Sequence, residues 1–366
     1  MQDQNAAKLL AKVMRWNDEE VSRFLPKLLL LADYKYDHYQ RFGPGRRFIE
    51  NLALWLNQFA ESDRKAALEL VTERLIYFSD AEFSHLVRIA YPDVIDQECM
   101  RLVAEEHDIP SHRVQKIVTN SRFKELKIKS LYLGLSDGAR TNELRRASGN
   151  SISNEQIWQA YELGEDKAKD MTDALEERLK KNKYSSTAPR FNLIWLLDDF
   201  SGSGYTYIRY VDKGIYKGKI WKIYDRLHRG GLVDPTHYEV FLLLYVATRQ
   251  AVDHIEYWAE RFTSEFGYKP LQIRVLCIIE QDIAILKESS DPIFSLANKP
   301  EYYDNQANDK HIEIGGTADA RLGFAGCALP VVLSHNTPNN SIYLLWGQES
   351  FDPFGLFPRM SRHKEF

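Results

Sequence analysis

The chain is poor in cysteine, with Cys99, Cys277 and Cys327 standing far apart. That spacing makes neither a disulfide framework nor a zinc-ligand set and fits a reducing compartment, so a cytoplasmic location is expected. No apolar run reaches the roughly 18 residues of a spanning helix, which predicts no membrane association. Met1–Trp16 holds no long apolar core ahead of a small-residue cleavage site, so no signal peptide is expected. The G-x-x-x-x-G-K-[ST] loop of P-loop NTPases is missing. His107 and His112 lack metal-ligand spacing, and there is no internal repeat or low-complexity segment. The net charge is only −4, which argues against generic nucleic-acid binding by the whole surface.

What is present is ordinary globular material. The 366 residues are 44% hydrophobic and 27% charged, enough for two domains or for one large domain with an extension. Residues 1–118 read as an all-helical N-terminal domain. Phe24-Leu25-Leu28-Leu29-Leu31 and Ile49-Leu52-Leu56-Phe59 repeat at three and four. Ser62-Asp63 reads as a helix start. Ser79-Asp80-Ala81-Glu82 has capping-box spacing. Gly43-Pro44-Gly45 breaks the pattern once, and Ile109–Val114 reads as the opening of a short helix. With 16 Lys/Arg against 19 Asp/Glu, this region lacks a basic face and reads as a scaffold or partner-binding module.

Residues 119–366 have another texture. Short apolar runs at Ser130–Leu135, Phe191–Leu197, Val240–Ala247 and Ile273–Ile279 alternate with helical segments at Asp166–Lys181 and Arg249–Phe266. That alternation predicts an α/β, mostly parallel, doubly wound sheet. Val331–Ser334 and Ile342–Trp346 read as further strands, with a helix from Ala318 before them. An irregular tail carries Pro353, Pro358 and the basic Arg359–Lys364.

The run Ile194-Trp195-Leu196-Leu197-Asp198-Asp199-Phe200-Ser201-Gly202-Ser203-Gly204-Tyr205-Thr206 carries the most chemistry. Its apolar half reads as a buried parallel strand, which puts Asp198 and Asp199 at the carboxyl end, where open α/β sheets hold ligands. The small turn behind them, with a helix start expected after it, can aim backbone N–H groups at an anion. Acids for ribose hydroxyls beside a phosphate nest make a site for a phosphorylated sugar. Another nucleotide site, or a strand-end acidic pair that only caps a helix, are the other readings.

The run resembles the phosphoribosyl pyrophosphate (PRPP) motif of type I phosphoribosyltransferases: four apolar residues, two acids, an apolar residue, then a loop ending in Gly-x-Thr. Ser203 stands for the usual threonine, and Tyr205 for a common small residue. The resemblance implies that Asp198 and Asp199 hold the ribose hydroxyls and help retain Mg²⁺, and that Ser201, Gly202, Ser203, Gly204, Tyr205 and Thr206 wrap the 5-phosphate. Ribosyl transfer passes through a cation-like carbon, so positioning and leaving-group stabilisation suffice and no nucleophile set is needed.

Upstream, Leu131–Leu135 leads into Ser136-Asp137-Gly138-Ala139-Arg140-Thr141, a strand, glycine turn and helix start suited to an anion. In type I phosphoribosyltransferases the loop in this place holds the pyrophosphate; the resemblance implies that backbone N–H groups from Asp137 to Arg140 contact the phosphate oxygens and that Arg140 can add a paired contact. A capped turn with a surface arginine is the alternative. From Arg113 to Arg146 there are nine Lys/Arg against three Asp/Glu, a concentration of positive charge beside that loop.

Residues 207–231 are an insertion relative to the minimal pattern. Arg209, Lys213, Lys217, Lys219, Lys222, Arg226 and Arg229 interleave with Tyr207, Tyr210, Tyr216, Trp221 and Tyr224, and Gly214 and Gly218 suggest a hairpin. The pattern suits a nucleic acid or a nucleotide base, or a hairpin packed on the core. Near the end, His335, Asn336, Asn339 and Asn340 share one polar turn able to read a base or acceptor edge, or to serve only as turn formers.

Phe78-Ser79-Asp80-Ala81-Glu82, the Leu-Leu-Asp-Asp-Phe loop and Leu329–Ser341 together resemble the PRTase-CE proteins of bacterial conflict systems. That likeness spans most of the chain. It implies an antiphage effector, in some systems retron-associated, with partner proteins encoded nearby and with PRPP or a nucleotide as ligand. The acceptor would be a nucleotide, a base or a nucleic-acid end. A catalytically idle sensor, or a scaffold subunit within an oligomer, is the alternative.

Overall fold

The structure is a computed structural model that describes residues 3–42, 47–184, 188–212, 214–283, 290–308 and 310–359. The expected break at Gly43-Pro44-Gly45, Lys213 and most of the basic tail lie outside the described residues. Nine strands occur among the described residues: β1 (Ile76–Phe78), β2 (Ser130–Gly134), β3 (Ile157–Gln159), β4 (Leu193–Ser201), β5 (Arg209–Asp212), β6 (Ile215–Lys217), β7 (Glu239–Thr248), β8 (Leu271–Ile279) and β9 (Val331–Leu333). The chain divides into two compact units, Met1–Glu82 with Glu280–Phe366, and Phe83–Ile279. This differs from a boundary at 118.

The first unit is built from both ends of the chain. Asn17 caps helix Asp18–Tyr34 in a reciprocal box with Glu20. Helix Phe48–Asn57 buries Phe48, Leu52, Trp55 and Leu56. Trp55 Nε1 donates to the Leu344 carbonyl at 3.0 Å, and Tyr39 Oη donates to the Pro358 carbonyl at 2.9 Å. The Phe357 ring stacks at 5.7 Å on Phe48. Full burial of one such side chain favours folding by roughly 1.5–3 kcal/mol, so the C-terminal segment is integral to this core. The region is not all-helical: β1 pairs in parallel with β9, Tyr77 opposite Val332.

Three local expectations change here. Ile342–Trp346 contains a buried helical turn, Tyr343–Trp346, whose short apolar run has no decisive period. No helix starts at Ala318, because the Asp319 side chain turns back onto the Arg321 N–H at 3.0 Å. Asp63 precedes helix Arg64–Glu69 without capping it, and its carboxylate binds Lys299 at 2.6 Å and Tyr302 at 2.7 Å instead. The Ser79/Glu82 box does form: Ser79 N–H donates to Glu82 at 2.7 Å, and Glu82 N–H to Ser79 at 3.2 Å.

The second unit holds a five-stranded sheet in the order β3-β2-β4-β7-β8, parallel throughout. Numbered by chain order within the sheet, the strands lie 2-1-3-4-5, a doubly wound order whose direction reverses between β2 and β4. The central strands β2, β4 and β7 are buried along nearly their whole length. That explains why they read as continuous apolar runs rather than alternating ones. Helix Arg249–Phe266 is capped by Thr248, whose hydroxyl accepts from Ala251 N–H at 3.0 Å. No helix among the described residues is long and apolar enough to cross a membrane.

Candidate functional site

Ligands of open α/β sheets sit beyond the carboxyl ends of the strands, where the winding direction reverses. Here that place lies between β2 and β4, and the loops leaving these two strands are the two that the sequence marks. In-register pairing of Gly134 with Leu197 carries Ser136 and Asp198 past the same level of the sheet. β4 runs on to Ser201, so both acids lie within its carboxyl-terminal half rather than beyond it.

Asp198 is the centre of a closed network. Its Oδ1 accepts a short hydrogen bond from Ser136 Oγ and another from Asp199 N–H at 3.2 Å. Its Oδ2 accepts from Tyr207 Oη at 2.7 Å and from Lys219 Nζ at 2.9 Å. A carboxylate offers about four lone-pair positions, and protein donors fill that number. The side chain is 3% exposed, against 34% for Lys219. Burial pushes the Asp198 carboxyl above its ordinary range, Lys219 pulls it back, and the Asp199 charge pushes it up again. Burial and the Asp198 charge together hold the Tyr207 phenol well above its usual value, so it stays a donor.

Two glycines set this geometry. At Gly138 a Cβ would collide with the Asp199 carboxylate, so only glycine lets the loop cross the acid this closely. Gly218 has φ 123°, and a Cβ there would strike the Tyr207 carbonyl. The tight passage lets Lys219 N–H reach the Thr206 carbonyl at 3.1 Å and starts helix Lys219–Arg229 with its first side chain on Asp198.

The loop after β2 forms as expected: a 3₁₀ turn at Asp137–Ala139, then helix Thr141–Ala147. Ser136 Oγ accepts from Gly138 N–H at 3.2 Å while donating to Asp198. Buried Tyr245 donates to the Ala139 carbonyl at 3.1 Å and fixes the loop from β7. Arg140 has φ 48° and ψ 34°, a left-handed conformation that costs a non-glycine residue about 1–3 kcal/mol. Its guanidinium lies 5.0 Å over the Phe83 ring and 3.3 Å from Glu143.

The loop after β4 departs from expectation. Ser201, Gly202, Ser203 and Gly204 are buried, Tyr205 is half-buried and Thr206 is exposed. Thr248 Oγ1 donates to the Gly202 carbonyl at 2.6 Å. The Tyr205 ring stacks on His254 at 4.4 Å, and His254 donates from Nε2 to the Ile208 carbonyl at 2.9 Å. Burial keeps that imidazole below its ordinary range, against the pull of the Ile208 bond. No helix follows the turn directly. The expected hairpin β5/β6 comes first, Tyr210 opposite Tyr216, because the glycines at 214 and 218 admit positive φ.

Within the insertion, Tyr207, Tyr216 and Tyr224 are core residues, and Tyr210 stacks on Trp258 at 5.5 Å. Lys219 is committed to Asp198, Arg226 donates to the Ala160 carbonyl at 2.9 Å, and Arg229 pairs with Asp225 at 2.8 Å. Lys217 and Lys222 are exposed.

The structure thus brings Ser136, Gly138, Asp198 and Asp199 together with Tyr207 and Lys219. His335, Asn336, Asn339 and Asn340 belong to the first compact unit, while the acids belong to the second. The Asn340 amide holds its own loop, donating to the Phe324 carbonyl at 3.4 Å, and Asn336 Oδ1 accepts from Thr337 N–H at 3.0 Å. Sequence reading missed the pairing of Lys219 with Asp198; the only local signal was a lysine directly after a glycine.

Among the described residues no group of three or more His, Cys, Asp or Glu side chains is arranged to hold a metal ion. Asp198 does not fit as a magnesium ligand, because an ammonium and three further donors occupy its oxygens.

The PRTase-CE family model matches residues 52–359. No curated protein and no solved structure matches the chain significantly.

Proposed function

The chain belongs to the PRTase-CE family of phosphoribosyltransferase-like proteins, and from that premise we propose that it binds PRPP or a nucleotide at the β2/β4 crevice. The observation that carries the proposal is the meeting of the two marked loops: Ser136 bonds Asp198, and Gly138 crosses Asp199 with no room for a side chain. In this reading the Ser136–Thr141 loop takes the pyrophosphate, Asp199 takes a ribose hydroxyl, and residues 201–206 take the 5-phosphate. Asp198 orients Ser136 and Lys219 around that ligand. Magnesium would arrive on the ligand's phosphate oxygens with its own water, as is usual for this hard cation. In a bacterial antiphage system the protein would act with partners encoded nearby, on a nucleotide, base or nucleic-acid end.

One observation favours a second reading, binding without turnover. The four donors on Asp198 leave that acid saturated, so a sensor that holds the ligand and signals to a partner uses the same crevice.

Calorimetric titration with PRPP and with nucleoside monophosphates, each with Mg²⁺, tests the site. Saturable binding that weakens in Asp199→Asn supports it, and equal binding in that variant overturns it. Pyrophosphate release on adding candidate acceptors separates enzyme from sensor.

A further inference from the structure

An arginine-rich cleft borders the end of the loop after β2 and the helix that follows it. Its volume is about 790 Å³, and Arg88, Arg140, Asn142, Glu143, Arg146 and Ala147 line it. That size falls within the roughly 300–1,000 Å³ of small-ligand sites. Neither Asp198, Asp199 nor the loop 201–206 takes part in it. Three guanidinium groups face one carboxylate, giving the cleft a net charge of about +2 in a chain whose total is −4.

The three arginines are not equivalent. Arg140 is held in place: its backbone is left-handed, its guanidinium lies against Phe83, and Glu143 receives it at 3.3 Å. Arg88 and Arg146 are exposed and make no ion pair among the described residues. Arg146 and Asn142 stand one helical turn apart on helix Thr141–Ala147, so both present to the same side. Arg88 comes from a different helix, Asp80–Ala90. One fixed and two uncommitted planar forks, lining one open cleft from two helices, suit a ligand with several phosphate oxygens. A single phosphate would engage one or two of them. A nucleic-acid backbone needs an extended basic track, whereas the cations here are three arginines around one open cleft.

We propose that this cleft binds the diphosphate group of a small ligand separate from PRPP, a nucleoside diphosphate. The inference stands without the function proposed above.

The test is calorimetry on the full chain at fixed ionic strength, with inorganic pyrophosphate, ADP and PRPP as probes. Three proteins are compared: the wild type, R88A/R146A and Asp199→Asn. The replaced arginines are exposed and unpaired, and unchanged thermal unfolding of R88A/R146A verifies its fold. The expected result is saturable pyrophosphate binding that falls about tenfold or more in R88A/R146A and stays unchanged in Asp199→Asn. R88K/R146K, which keeps the charge but loses the paired N–H geometry, falls between. Parallel loss of PRPP affinity in R88A/R146A makes the cleft part of the pyrophosphate site already assigned to the Ser136–Thr141 loop and overturns the proposal; loss confined to pyrophosphate and ADP supports it. Silence with PRPP while pyrophosphate saturates would count against the crevice reading alone. Absence of pyrophosphate and ADP binding to the wild type, or equal binding in R88A/R146A, overturns the proposal.

Discussion

Lys219 Nζ lies 2.9 Å from Asp198 Oδ2, an ammonium one-third exposed on a carboxylate almost fully buried. The pair joins the helix after the hairpin to the strand that carries the acids. It also helps to occupy Asp198, which spends its oxygens on Ser136, Tyr207, Lys219 and its own neighbour.

Lys219→Met leaves the Asp198 charge buried without its cation. Breaking a fully buried pair costs about 3–5 kcal/mol, and the partial exposure of Lys219 reduces that to about 2–3 kcal/mol at pH 7. The pH dependence has a definite sign. Burial already raises the Asp198 pKa, and removing the lysine raises it further. The folded protein then holds the proton at a higher pH than the unfolded chain does, so stability falls as pH rises through that window. The gap between variant and wild type therefore narrows on acidification. Urea unfolding at pH 5 and pH 7.5 measures it.

Gly138→Ala puts a methyl group into the Asp199 carboxylate. Overpacking of this kind costs about 1–3 kcal/mol and shifts the loop. PRPP affinity, measured by calorimetry, is expected to fall with only a modest drop in melting temperature.

Glu98 governs part of the acid limb. Burial pushes its carboxyl up, but hydrogen bonds and charge from Arg274 and Arg101 outweigh this and hold it below the ordinary value. Its contribution is complete above the unfolded carboxyl pKa of about 4.3 and is lost as pH falls through the lower folded value. Glu98→Gln should flatten the decline of stability below about pH 4.3, read from unfolding curves between pH 3 and pH 7.

Charge reversal in the insertion separates its lysines. Lys217→Glu with Lys222→Glu changes two exposed side chains and leaves thermal unfolding unchanged within about 0.5 kcal/mol. Lys219→Glu places a second carboxylate beside Asp198 and destabilises the fold. Equal unfolding curves for the two proteins would contradict the assigned ion pair.

The parallel core is legible in the sequence because β2, β4 and β7 are buried on both faces and read as unbroken apolar runs ending at polar loops. Asp198, Asp199 and the Ser136–Thr141 loop are legible for the same reason, since each directly follows such a run. The division of the chain is not legible. It depends on β1 pairing with β9 and on Trp55 and Tyr39 bonding carbonyls near the C-terminus, contacts between distant segments that leave no local periodicity. The role of Lys219 is hidden similarly: it pairs with an acid 21 positions away, and in sequence it is one of seven cations. The buried tyrosines of the insertion share their spacing with an aromatic binding surface, and only packing separates the two.

The most direct test of the central claim is amide hydrogen exchange of the full chain with and without saturating PRPP and Mg²⁺. The account predicts slowed exchange confined to residues 136–141 and 199–206, the two loops that meet at the β2/β4 crevice. Unchanged exchange in both loops, or protection only elsewhere in the chain, would contradict it.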